Sequence, residues 1–219
     1  VENINTNDIK MLDICVNTIV RNGEDTIGFC LDSVLSQVKR AIVTIDDRCS
    51  DRTPEILDQL ARKYRNLEID YFEIKNPKTD LIRMRNAQLK RTNEKYVWIV
   101  DSDEYYPLLD IELKKNVYAF QCWAVWNRTH THKSSSKAII PRIFRNKNIR
   151  WTGTFGKEKL TDKKPILLPI RYVHFTHLKE DNWRKEMNQN RVADGKFLSP
   201  LPEDIKVIVN NFYEAREKM

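Results

Sequence analysis

The chain has 219 residues, of which 41% are hydrophobic and 32% charged. That supplies apolar material for one packed domain and is too much for a disordered chain. No apolar run approaches the roughly 20 residues that span a bilayer, and the polar start Val1-Glu2-Asn3-Ile4-Asn5 does not read as a signal peptide. The formal charge of +7, with a pI near 9.2, favours anionic partners: nucleotides, nucleic acid, acidic glycans or an anionic membrane surface. Cys15, Cys30, Cys49 and Cys122 show no paired or zinc-type spacing; a reducing, cytosolic compartment is the simpler reading.

In chain order, Leu12 to Val20 is β-branched and reads as a first strand. Asn22 then caps a helix whose apolar face is Ile27, Leu31, Val34, Leu35 and Val38. Ala41 to Ile45 is a second strand ending in Asp46-Asp47, and Thr53-Pro54-Glu55 opens a second helix. Leu67 to Ile74 alternates as a third strand, and Asp80 to Arg91 is a third helix carrying Arg83, Arg85 and Asn86. Tyr96-Val97-Trp98-Ile99-Val100 is a continuous apolar run, expected of a strand buried on both faces. Alternation of strand and helix over residues 12–101 predicts a parallel sheet with right-handed crossovers.

The second half differs. Val117 to Trp126 and Ala138 to Phe144 read as longer strands around a polar loop from Thr129 to Lys137. Pro165 to Thr176 contains another strand; Asp181 to Gly195 and Pro202 to Lys218 read as helices. His130 and His132 fall in the polar loop, where a flexible surface is favoured over a metal site. Trp123, Trp126 and Trp151 are read as core, with stacking on an acceptor sugar as the alternative. Arg142, Arg145, Lys147 and Arg150 are read as a solvated basic face.

Two strands end in acids: Asp46-Asp47, and Asp101-Ser102-Asp103-Glu104. In open α/β sheets ligands bind at the carboxyl ends of strands. Carboxylates at alternate positions can converge there on Mg²⁺ or Mn²⁺, which favour hard oxygen donors. With Val20-Arg21-Asn22-Gly23-Glu24, the segment Cys30 to Gln37, Ile45 to Thr53, Arg85-Asn86-Ala87 and Val100 to Glu104, the chain resembles the GT-A fold glycosyltransferases, in particular the inverting family 2 enzymes.

The resemblance implies an α/β GT-A fold: a Rossmann-like, mostly parallel sheet flanked by helices, a mixed-sheet acceptor half and C-terminal helices. It implies one domain over residues 1–219, with a nucleotide-binding half at about 10–106 and an acceptor half at about 107–219. Asp47 is similar to the acid that accepts from a ring N–H of the base, as uracil offers, which favours a UDP-sugar donor. Val20 and Arg21 resemble the lip of the nucleotide pocket, and Arg85 and Ser102 lie on its nucleotide side. Asp101 and Asp103 resemble the metal-binding DXD pair, with Asp103 the direct ligand, for Mn²⁺ or Mg²⁺. A further ligand in such enzymes is a late His, here His174 or His177. Many relatives place their base in Trp-x-Gly-x-x-His-Glu. Trp151 to Glu158 is similar, with Lys157 at the His position and one extra residue, which makes Glu158 the candidate base and Glu104 the reserve.

The expected function is metal-dependent transfer of a sugar from a nucleotide-diphosphate sugar to a hydroxyl of a glycan or glycolipid, with inversion. Cytoplasmic residence follows, with peripheral contact at an anionic inner membrane face. Nucleic acid is not an expected partner. A sugar-phosphate nucleotidyltransferase is the structural rival, but the five glycines form no phosphate-binding loop motif. A non-catalytic nucleic-acid or glycan module is the other rival; clustered acids would repel phosphate unless a metal intervenes.

Overall fold

The computed structural model describes residues 11–125, 128, 130–132, 139–154, 158–161, 163–175 and 198–217. Strands β1 (Leu12–Val20), β2 (Val38–Asp46), β3 (Leu67–Phe72) and β4 (Tyr96–Ile99) alternate with helices α1 (Ile27–Leu35), α2 (Thr53–Lys63) and α3 (Pro77–Arg91). Then follow β5 (Glu104–Tyr105), β6 (Val117–Ala124), β7 (His130–His132), β8 (Ile139–Arg145), β9 (Ile166–His174), β10 (Leu198–Pro200) and α4 (Glu203–Arg216).

One eight-stranded sheet has the order β3-β2-β1-β4-β8-β6-β9-β5, and β7 pairs with β10 in a separate ribbon. The β1–β2, β2–β3 and β1–β4 pairs are parallel, as the alternation predicts. Beyond β4 the sheet turns mixed: β8 is antiparallel to both β4 and β6, β9 is parallel to β6, and β5 is antiparallel to β9. The chain therefore reverses its direction of winding at β1/β4, and the crevice at their carboxyl ends is the topological switch point.

The apolar run at β4 is buried throughout, with Val97 and Trp98 at 0% exposure. Val97 and Ile99 pack with Ile82 and Leu89 of α3, and Tyr96 and Trp98 pack into the main core, which removes both faces of the strand from water. Trp98, Tyr106, Phe120 and Tyr172 form an aromatic block under the acidic turn; Tyr106 and Tyr172 stack at 4.7 Å between centroids. A second cluster packs α4 onto β9 and α1 through Phe29, Phe175 and Phe212.

Several boundaries differ from expectation. Val38 opens β2 rather than closing α1, because the helix ends at Leu35 and Gln37 hydrogen-bonds back to Val34. α3 starts at Pro77, three residues before Asp80: Asn76 caps it by accepting from the Lys78 amide, and Asp80 instead accepts from the amides of Lys75 and Asn76. β5, β7 and β10 are two or three residues long and carry no periodicity of their own. The helix expected over 181–195, Trp126 and His177 lie outside the described residues.

Candidate active site

The site is built on the turn that leaves β4. The β1–α1 loop locks it from one side. Gly23 sits so close that an added Cβ would meet Val20 Cγ2 at 2.8 Å, with Ser102 Cβ at 3.7 Å. Thr26 Oγ1 donates to the Ser102 carbonyl at 2.9 Å, and the Gly23 amide donates to Thr53 Oγ1 at 2.8 Å. From the other side β9 grips the turn: Glu104 pairs with His174 in register, and the Phe175 amide donates to the Asp103 carbonyl at 2.7 Å. Three segments far apart in sequence thus hold four residues in place.

The two aspartates face different partners. Asp103 is nearly buried, and its Oδ1 lies 3.3 Å from His174 Nε2. Burial disfavours an imidazolium, but the bonds to Asp103 and Cys122 and the charges of Asp103 and Glu104 together outweigh it and hold the His174 pKa well above its usual value. Asp101 instead meets cations: Arg142 Nη2 is 3.1 Å from Oδ2 and Arg85 Nη2 is 3.5 Å from Oδ1. Burial opposes its ionisation, yet Arg142 and Arg85 hold its carboxyl below the ordinary range. The expected trio of Asp101, Asp103 and His174 is therefore not a ready cage. Among the described residues no three His, Cys, Asp or Glu side chains converge as a metal site. The pair Asp103–His174 does supply adjacent oxygen and nitrogen donors, a set that suits Mn²⁺ when a ligand's oxygens fill the remaining positions.

Arg85, the second cation at Asp101, keeps donors that the protein does not use. It is 13% exposed, yet its Nε and Nη1 are buried without a protein hydrogen-bond partner. Its guanidinium lies over the Trp151 ring, 4.8 Å from the centroid, and Asn86 clasps the Trp151 backbone through two hydrogen bonds of 3.0 and 3.1 Å. Trp151 is thus buried against a cation and not open to stack on a sugar. It anchors a loop closed by the Thr152–Lys159 bridge, and Glu158, half-buried, stands beside that bridge.

At the neighbouring strand end, Asp46 is buried and bonded to Arg48, whereas Asp47 is exposed, its Oδ1 accepting from the Ile74 amide at 3.0 Å. Val20 is buried and Arg21 exposed at the end of β1, between the two acidic ends.

One expectation is corrected, and one candidate is held inside the protein. Glu104, the reserve base, is 0% exposed, and it accepts from the Asp101 amide at 3.0 Å, from Tyr106 Oη at 2.9 Å and from Arg142. Burial pushes the Glu104 carboxyl up to about 7. Arg142 does not belong to a solvated face: it is 9% exposed, wedged among Glu104, Asp101 and Tyr172. Arg145, Lys147 and Arg150 are exposed as expected.

A half-parallel sheet with acids at two strand ends, one on either side of β1, is an α/β arrangement of the GT-A kind. A family model, glycosyl transferase family 2, matches residues 15–155, well over half of the chain, and the chain belongs to that family. It is 32% identical over 95 residues to a poly(ribitol-phosphate) beta-glucosyltransferase of Bacillus spizizenii; the match covers 39% of this chain and 14% of that protein. Among solved structures, residues 1–349 of S. aureus TarS in complex with UDP superpose with a TM-score of 0.46 at 20% identity, over 61% of this chain and 46% of that one. The mannosyltransferase PcManGT from Pyrobaculum calidifontis, in complex with GDP-Man and Mn²⁺, gives 0.41 at 16% identity, over 63% and 47%. The chain spans less than half the length of each of these relatives, and the structural likenesses are too distant to transfer a ligand or a substrate.

Proposed function

We propose that this chain transfers a sugar from a nucleoside-diphosphate donor to a hydroxyl acceptor, with inversion at the anomeric carbon. The observation that carries the reading is the division of labour at the switch point, with Asp103 beside His174 and Asp101 beside Arg85, whose remaining N–H groups lack partners. Asp103 and His174 are the residues that would hold a divalent cation. When bound, that cation neutralises charge on the diphosphate leaving group. Its binding requires His174 to give up the proton it shares with Asp103.

Arg85, 13% exposed beside Asp101 and lying over the Trp151 ring, is the cation assigned to a donor phosphate. Asp47, exposed at the end of β2, accepts from a ring N–H of the base, which favours uracil; Val20, Arg21 and Ser102 line the path between base and phosphates. Glu158 is the group assigned to take the acceptor hydroxyl's proton. The +7 charge suits an anionic acceptor, such as a polyol phosphate of the kind named for the Bacillus spizizenii relative, and contact with an anionic membrane surface on the cytoplasmic side. Among the described residues no helix is long and apolar enough to cross a membrane.

A thermal-shift series with UDP, GDP and UDP-sugars, with and without MnCl₂, tests the donor reading. A ligand at about 100 times its Kd adds about 2.7 kcal/mol, or roughly 5–10 °C for a domain of this size. Asp103→Asn should abolish the Mn²⁺-dependent part of the shift; a shift independent of both metal and this substitution would reject the assignment.

A further inference from the structure

Every hydrogen bond that ties Arg142 to the acidic turn passes through one atom. Its Nη2 donates to Asp101 Oδ2 at 3.1 Å, to Glu104 Oε1 and, at 3.4 Å, to Tyr172 Oη, and the guanidinium lies 5.6 Å from the Tyr172 ring centroid. The other oxygen of Glu104 accepts from the Asp101 backbone amide and from Tyr106 Oη. Asp101 is therefore gripped twice, its side chain by Arg142 and its backbone by Glu104, and the two gripping residues are bonded to each other. Tyr106 and Tyr172, stacked at 13° between planes, fix the pair from beneath.

A buried ion pair of this kind is a poor way to gain stability. Desolvating both charges offsets most of their attraction, and apolar residues of similar volume often serve as well. Three carboxylates crowded into residues 101–104 would also repel one another without an internal cation. Arg142 cancels that repulsion from the protein side, and of the three carboxylates Asp101 keeps the largest exposed share, 33% of its side chain.

We propose that Arg142 and Glu104 are positioning residues for the donor site: they fix the Asp101 carboxylate and the 101–104 turn in the geometry that receives the diphosphate. The assignment rests on the glycosyl-transfer reading above. It differs from a stabilising role in one measurable respect, because stability and turnover separate when both charges are replaced together.

The test compares Glu104→Leu, Arg142→Met and the double variant by melting temperature without metal, by calorimetric UDP binding in MnCl₂, and by kcat and KM on a UDP-sugar turned over by the wild type. Each single variant strands a buried charge and should lose roughly 10 °C. The double variant should melt within a few degrees of the wild type, yet bind UDP about tenfold more weakly and lose about 100-fold in kcat, the scale of a 1 Å misplacement. Arg142→Lys keeps the charge but forfeits the planar fork; it should fold and lose at least tenfold in kcat even if the double variant does not express. A double variant, or Arg142→Lys, with kcat and UDP affinity within threefold of the wild type would overturn the proposal and leave the pair as packing. A wild type that binds no nucleoside diphosphate would overturn the donor reading and this assignment together, so the two failures are distinguishable.

Discussion

At the scale of single residues, Arg85 stands out by its unused donors. A buried N–H without a partner costs about 1–3 kcal/mol, and two Arg85 nitrogens, Nε and Nη1, are in that position while Nη2 reaches Asp101. Phosphate oxygens would satisfy them with charge-assisted bonds. Arg85→Lys should therefore weaken UDP binding about tenfold in calorimetry, since a point charge cannot replace the fork. Trp151→Leu should weaken it less, by removing the ring that restrains the guanidinium. Affinity unchanged by Arg85→Lys would make the residue a structural counter-ion for Asp101. Glu158→Gln should abolish transfer and leave UDP affinity within twofold; near-normal turnover would strike Glu158 from the mechanism. The sequence alone marked Arg85 by its place in Arg85-Asn86-Ala87 but misread Arg142. Three carboxylates at a buried strand end require a counter-charge, yet nothing local says which of the 38 Lys and Arg residues supplies it. The supplier sits 41 positions away on β8, and its exposed neighbours Arg145 and Lys147 made it look like part of a surface run.

At the scale of elements, residues 12–101 were legible because β1, β2 and β4 are apolar runs, β3 alternates and Thr53-Pro54 opens α2; the start of α3 at Pro77 was read three residues late. β5 and β10 were not legible, because their strand character comes from the partner: Glu104 and Tyr105 extend only where β9 offers free backbone groups. The same holds for α3, whose hydrophobic face is weak. It is held at its C-terminal end by ions instead. Arg40 binds Glu68 through two bonds of 2.7 and 2.8 Å, and Arg91 at the end of α3 adds bonds to Glu68 and Asp70 at 2.9 and 2.6 Å. This bidentate hydrogen bonding, from Arg40 first, holds the Glu68 carboxyl below its usual value of 4.5. A depressed carboxylate pKa adds stability above the unfolded-state value and loses it as pH falls through the folded one. Glu68→Gln should thus cost about 0.5–1 kcal/mol at pH 7, given the partial exposure of both partners. The difference from the wild type should vanish once pH drops below the folded pKa. Urea titrations at a series of pH values from 7 downward would check it; a difference that did not shrink as pH fell would mean that packing, not charge, carries the effect.

At the scale of the molecule, the 101–104 turn depends on a part of the chain remote from it. His174 ends β9, and the next residue, Phe175, stacks on Phe212 of α4 at 4.3 Å between centroids. Phe212 also meets Phe29 of α1 edge-on at 5.4 Å. The C-terminal helix thus clamps the end of β9 against the first helix of the nucleotide half. Through the Phe175 amide it also fixes the carbonyl of Asp103. The amphipathic pattern of residues 202–218 announced a helix, but not what it covers, because its partners lie on segments whose pairing is set by the whole sheet. Phe212→Ala should cost about 3–5 kcal/mol, the range for a buried aromatic cut to Ala. It should also weaken Mn²⁺-dependent UDP binding at temperatures well below melting, because the end of β9 is freed to move His174 away from Asp103. Phe212→Leu keeps most of the volume and should restore the Mn²⁺ dependence with a smaller loss of stability. If Phe212→Ala lowered the melting temperature and left Mn²⁺-dependent binding untouched at 10 °C, α4 would be a cover for the core with no hand in holding the metal pair.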